Sequence, residues 1–265
     1  MPELGRNLRY VAAALRVSVL AALEYRVGFW TEAVLGVIWS LAGAAPLVVA
    51  LEHRPDIAGW TPWEVVLLSG FYLIFAGAFG ALIEPPLFET MNHIRRGTLD
   101  YVLLRPVDSL LACMVSAFQP WRSLEMLAGA ALVVVAALRL ELRPGPEQLA
   151  MLAGALACGF TALYALGVLA LSLSFRAMQL QNLAFLMESS IELARWPISV
   201  FRGPLKAVFT FVIPFAVMTS YPAQALLGRL DLGAAVGALV TAAALAGLAR
   251  VGWARGVKNY TSASS

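Results

Sequence analysis

Two carboxylates, Glu188 and Glu192, stand four residues apart in the otherwise apolar stretch from Leu180 to Ala194. At helical spacing they share one face, with Gln181 and Arg195 close to it. Acids in an apolar helix are costly unless they face protein or a water-filled path, where they favour a cationic or amphipathic solute. Three plainer roles compete: a Glu192–Arg195 structural pair, a helix lying at the interface, or a subunit contact. Arg122 and Glu125, three apart, read as another structural pair. His53 and His93 are the only histidines and sit in polar segments, whereas Cys113 and Cys158 lie in apolar ones. No metal-ligand spacing, nucleophile–base set or glycine-rich phosphate loop is present. The chain is therefore expected to be no enzyme, with no catalytic residue, metal or cofactor of its own.

The second chemically rich stretch is Glu84 to Asp108, EPPLFETMNHIRRGTLDYVLLRPVD, with Glu84, Glu89, Arg95, Arg96, Asp100, Arg105 and Asp108. Leu87, Met91 and Ile94 fall on one side of a helix, and Glu89, His93, Arg95 and Arg96 lie largely elsewhere. Gly97 is placed to cap that helix, followed by Thr98, Leu99, Asp100 and Tyr101. Pro85–Pro86 is expected to end the preceding element, because proline cannot continue a helix. A short amphipathic helix of this kind can dock in a groove of a partner or lie on lipid headgroups.

The elements that position these groups are membrane spans. Ala150 to Leu171 carries no charge, and at about 1.5 Å per residue it covers about 33 Å, enough for a bilayer core. Val65 to Ile83 and Leu232 to Ala249 are also uncharged, and Val27 to Leu51 holds only Glu32. Hydrophobic residues make up 60% of the chain and charged residues 13%, which leaves no room for a soluble catalytic domain. A net charge of +3, scattered along the chain, argues for topology signals and against a nucleic-acid partner. The first apolar run is too long for a cleavable signal, and no small-residue cleavage site follows it.

Residues 3–26 repeat Leu4, Leu8, Val11, Leu15, Val19 and Leu23 at helical spacing, with Arg6, Arg9 and Arg16 to one side. This predicts an interfacial amphipathic helix. Spans follow at roughly 28–51, 63–83, 119–138, 148–172 and 232–249. Residues 179–229 allow two topologies. In one, 179–197 crosses and 198–230 forms an external re-entrant segment. In the other, 179–202 lies on the surface and 207–221 crosses. Each has six spans and places residues 84–108 and both termini inside. Positive-inside counting favours the second.

The string Ile94-Arg95-Arg96-Gly97-Thr98-Leu99-Asp100-Tyr101, then Leu103-Leu104-Arg105-Pro106-Val107, resembles the coupling loop of the ABC type-2 exporter permeases. It is most similar to their viologen-exporter-like branch. Arg195-Trp196-Pro197, Pro204, Val212-Ile213-Pro214-Phe215 and Tyr221-Pro222-Ala223 resemble that branch's external region before the last span. The resemblance implies one transmembrane permease domain over 1–265, the first of the two topologies, and a pair of identical or sister permeases. It further implies an ABC ATP-binding subunit dimer that carries ATP and Mg²⁺ and docks on residues 84–108. ATPase coupling would then fall to Glu89, Ile94, Arg95, Arg96, Gly97, Thr98, Leu99, Asp100 and Tyr101, while the substrate-path candidates Gln181, Glu188 and Glu192 rest on their spacing in an apolar helix. Composition rich in Ala, Leu, Arg and Gly suggests a high-GC bacterial source, and with the resemblance this implies a bacterial inner membrane as the location. An ion-coupled secondary transporter or an integral-membrane enzyme are the competing classes.

Overall fold

Prolines and polar caps set where the long helices begin. Thr61 N–H donates to Glu64 Oε2 at 2.9 Å ahead of Pro62, and Gly145 N–H donates to Gln148 Oε1 at 2.8 Å ahead of Pro146. Asp231 accepts from Ala234 N–H at 2.9 Å. Each arrangement satisfies donors that a helix start leaves open. The structure, a computed structural model, describes residues 2–43, 45–53, 56–175 and 181–260; for residues 2–4, 40, 41, 48, 50–52 and 181–186 it describes the backbone alone.

The described elements are helical throughout. They are α1 (Pro2–Glu24), α2 (Arg26–Ala42), α3 (Ala45–His53), α4 (Pro62–Ala78), α5 (Glu84–Arg96), α6 (Asp100–Leu103), α7 (Ser109–Met114) and α8 (Ser123–Arg139), then α9 (Pro146–Ser174), α10 (Gln181–Glu192), α11 (Pro204–Ala207), α12 (Tyr221–Leu226) and α13 (Leu232–Lys258). Among the described residues, four helices are long and apolar enough to cross a membrane: Pro62–Arg96, Pro120–Arg139, Pro146–Ser174 and Leu232–Lys258. A fifth crossing is available if Pro204–Val212 and Ala216–Leu226, bent by 70° around Pro214, count as one. The chain is an all-α membrane protein. The expected span at 28–51 is divided between α2 and α3, and the 12 residues of α10 are too short to cross alone. The bent pair lies inside the expected 198–230 segment.

Pro85–Pro86 does not end the second span, contrary to the sequence expectation. A π-helical turn, Phe79–Ile83, joins α4 to α5 without interruption. Glu84 N–H bonds to Phe79 O, and the Ala81 carbonyl, which Pro85 cannot reach with an N–H, accepts from Gln119 N–H at 3.1 Å. A proline costs a helix its hydrogen bond and a ring–carbonyl clash; here the widened turn relieves the clash and the loop ahead of Pro120 supplies the donor.

Packing is close where glycines allow it. A Cβ on Gly70 would lie 2.8 Å from Gly129 O, and one on Gly129 would lie 2.8 Å from Ile74 N, so α4 and α8 touch backbone to backbone. Gly77 meets Met126 in the same way. Small residues replace the hydrophobic driving force that is absent between helices in lipid. The largest buried cluster, with Phe75, Phe79, Ile83, Leu87, Leu99, Met114, Leu163 and Leu171, joins the spanning helices to the 84–114 segment.

Candidate functional site

Helix α5 ends as the spacing predicts. Gly97 adopts φ 66° and ψ 23°, the left-handed region. Gly97 N–H donates to Ile94 O at 3.2 Å and Thr98 N–H to His93 O at 2.9 Å, the paired bonds of a Schellman cap. His93 Nδ1 and Thr98 Oγ1, 2.9 Å apart, add a side-chain bond across the turn, and Glu89 Oε1 lies 3.4 Å from His93 Nε2. The cap turns the chain back so that Leu99 is 0% exposed while Tyr101 is 73% and Leu104 81% exposed. Ile94 and Leu99 thus anchor the segment inward. Glu89, Arg95, Arg96 and Tyr101 are exposed, and Gly97, Thr98 and Asp100 are half-buried between them.

The exit of this segment is clasped by both ends of the chain. Asp108 caps α7 by accepting from Leu111 N–H at 3.0 Å and pairs with Arg250 of α13 at 2.8 Å. Hydrogen bonding to the Arg250 guanidinium, aided by the Leu111 N–H, holds the Asp108 carboxyl below its usual range despite partial burial. Trp253 Nε1 donates to Ser109 Oγ at 3.2 Å. From α1, the Tyr10 hydroxyl accepts from Arg105, whose guanidinium sits 5.9 Å from the Tyr10 ring centre. Burial pushes the neighbouring Cys113 thiol up to about 11, which suits a packing residue and no nucleophile.

A cavity of about 110 Å³ opens beside the π turn. Glu84, Glu125, Glu188 and Glu192 line it together with Arg122 and Arg195, among the rings of Trp39, Tyr72 and Phe79. Glu125, 3% exposed, binds Arg122 Nη1 at 2.9 Å. Gly36 on α2 leaves room for the Glu125 carboxylate. Arg195 donates to Gly43 O at the α2–α3 break and to the Tyr72 hydroxyl at 3.2 Å, with its guanidinium 5.2 Å from that ring's centre. Its ion pair with the Glu192 carboxylate, at 3.7 Å, is loose and the Glu192 side chain is 61% exposed, while Arg195 Nε donates to the Glu192 carbonyl at 3.0 Å. Glu84 and Glu188 face the cavity without an ion pair or hydrogen bond among the described residues.

The expected acids Glu188 and Glu192 therefore do share a site, and the Arg122–Glu125 and Glu192–Arg195 pairs both form. The Gln181 side chain and the Arg176 loop lie outside the described residues. Sequence reasoning missed Glu84, Tyr72 and Gly36 as neighbours of these acids. By sequence Glu84 belongs to the polar 84–108 stretch; only the helix continuing through Pro85 brings it to the cavity. The π turn is part of both assemblies, since Phe79, Gly80 and Glu84 line the cavity and lead directly into α5.

Among comparisons with known proteins, no curated protein and no solved structure matches the chain. A family model described as ABC-2 family transporter protein matches residues 37–264.

Proposed function

The chain belongs to the ABC-2 transporter family, and from that premise we propose that it is the permease of an ATP-driven exporter of the viologen-exporter-like kind. Membership implies a membrane transport subunit associated with an ABC ATP-binding subunit. In this reading the ATPase dimer, with its ATP and Mg²⁺, docks on Glu89 to Tyr101. Two permeases, identical or sister, pair in a bacterial inner membrane with both termini cytoplasmic. A cationic or amphipathic solute passes along a path that includes Glu188, Glu192 and Gln181.

The observation that carries this reading is the unbroken 35-residue helix Pro62–Arg96. At about 1.5 Å per residue it is a lever of about 52 Å. Its exposed end holds Arg95, Arg96 and the Gly97 cap, and its middle forms a wall of the polar cavity. A push on Tyr101 and the capped end of α5 is carried by hydrogen-bonded backbone to the π turn. There it moves Phe79, Gly80 and Glu84 relative to Glu125, Glu188 and Arg122. Coupling needs an element with two discrete positions, and single-turn π segments often mark functional sites.

Co-purification with the cognate ATPase, followed by ATP hydrolysis and solute uptake into inverted vesicles, tests the proposal. Replacing the exposed Glu89, Arg95, Arg96 and Tyr101 by Ser, with the buried anchors Ile94 and Leu99 kept, should abolish the complex while the permease stays folded. A complex that survives the replacement sinks the docking assignment. Glu188→Gln should cut uptake of a cationic dye at least about tenfold with the complex intact, since it removes a carboxylate charge that attracts a cation into the path.

A further inference from the structure

The outer face of α1 combines residues that neither water nor hydrocarbon would select. Arg9 and Arg16 are exposed, seven residues and about 10 Å apart on one row of the helix. Neither makes a hydrogen bond or ion pair with the described residues. Exposed Leu8 and Leu23 flank that row on one side and exposed Val17 and Leu20 on the other. A face turned to bulk water has no reason to carry four large apolar residues, and one turned to hydrocarbon cannot carry two unpaired guanidiniums. Both conditions are met where acyl chains give way to headgroups, with the arginines reaching outward along apolar stems.

The position of α1 agrees. Only Tyr25 separates it from the apolar α2. Its inner face packs on α2 and on Pro120–Arg122, where a spanning helix begins, and Tyr10 binds Arg105. The helix thus lies at the level where spans leave the membrane.

We propose that this face is a binding surface for anionic lipid, with Arg9 and Arg16 each holding a phosphate oxyanion of the adjoining leaflet. Guanidinium–phosphate pairing is charge-assisted and bidentate, which a zwitterionic headgroup offers at reduced net charge. Each basic residue near an anionic surface contributes about fivefold in affinity, so the pair gives roughly 25-fold.

The test uses the full chain in nanodiscs of phosphatidylcholine with a minor share of phosphatidylglycerol. Phosphatidylglycerol retained per chain after detergent extraction is counted by native mass spectrometry. The wild-type chain should retain it in preference to phosphatidylcholine, and retention should fall as salt rises from low to about 0.5 M, since exposed charges are screened. Arg9→Gln with Arg16→Gln should lose most of the preference, whereas Arg9→Lys with Arg16→Lys should keep part of it. Equal retention in the Gln variant, or retention indifferent to salt, overturns the proposal. A bromolipid quenching test of a fluorophore at Leu20→Cys excludes the other occupant. Quenching supports lipid, and protection that appears only when the ATPase is bound assigns the face to that subunit instead.

Discussion

Gly97 is the residue on which the 84–108 segment turns. Its left-handed backbone costs a β-branched side chain about 1–2 kcal/mol, enough to shift a local equilibrium about tenfold. Gly97→Val should therefore leave the ATPase bound and hydrolysing while solute transport falls by a similar factor, read as transport per ATP consumed. An unchanged ratio removes Gly97 from the coupling path. This residue was legible beforehand, because a glycine after an amphipathic helix is a cap signal that needs no tertiary partner. Asp108 was not. It reads as one more loop carboxylate until Arg250, far along the chain, lies against it. Its folded value is lowered, so its contribution to stability is present above the ordinary aspartate range near 3.8 and is lost as pH falls through the lowered value. Asp108→Asn should melt below the wild type at pH 7 and converge with it only as pH falls below 3.8 and through the lowered value in a thermal scan. Equal melting temperatures at pH 7 would show that the clasp does not stabilise the fold.

At the scale of elements, the continuous helix through Pro85–Pro86 matters most. Local rules end a helix there. What overrides the rule is a donor from another element, the Gln119 N–H, together with the widened turn that absorbs the ring clash. Neither can be seen from residues 79–86 alone. The glycine contacts between α4 and α8 are of the same kind. Gly70, Gly77 and Gly129 look like ordinary members of apolar runs, and only the pairing shows that their missing side chains are what lets the backbones meet. Gly70→Leu should lower thermal stability in detergent by about 3 kcal/mol, because the added atoms have no space. Gly154→Ala, where a Cβ meets nothing within 4 Å, should stay within about 0.5 kcal/mol of the wild type. Equal tolerance at both sites would refute close packing at the α4–α8 contact.

For the whole molecule, the arrangement of ends follows from long-range contacts. Tyr10 with Arg105 and Arg250 with Asp108 place α1, the 97–108 segment and the last turns of α13 at one end. Glu64 with Arg229, at 2.6 Å, and Arg139 over Trp63 place the 139–146 and 228–231 turns at the other. A membrane-impermeant maleimide should therefore label Leu104→Cys and Lys258→Cys from the same side, and Arg143→Cys from the opposite side. Labelling of Leu104→Cys and Arg143→Cys from one side would contradict the arrangement. Composition and uncharged run length determined by themselves that this is an all-α membrane protein, because the cost of burying charge in hydrocarbon acts residue by residue and leaves its mark locally. The amphipathic segment with its Gly97 cap was equally local. The tertiary structure alone decided that Glu84, Glu125, Glu188 and Glu192 share one cavity, that the helix runs on past two prolines, and that α1 and α13 clasp the exit of the 84–108 segment. Those features rest on partners distant in sequence. A carboxylate, a glycine or an unsatisfied carbonyl is the same residue in the sequence whether or not such a partner arrives.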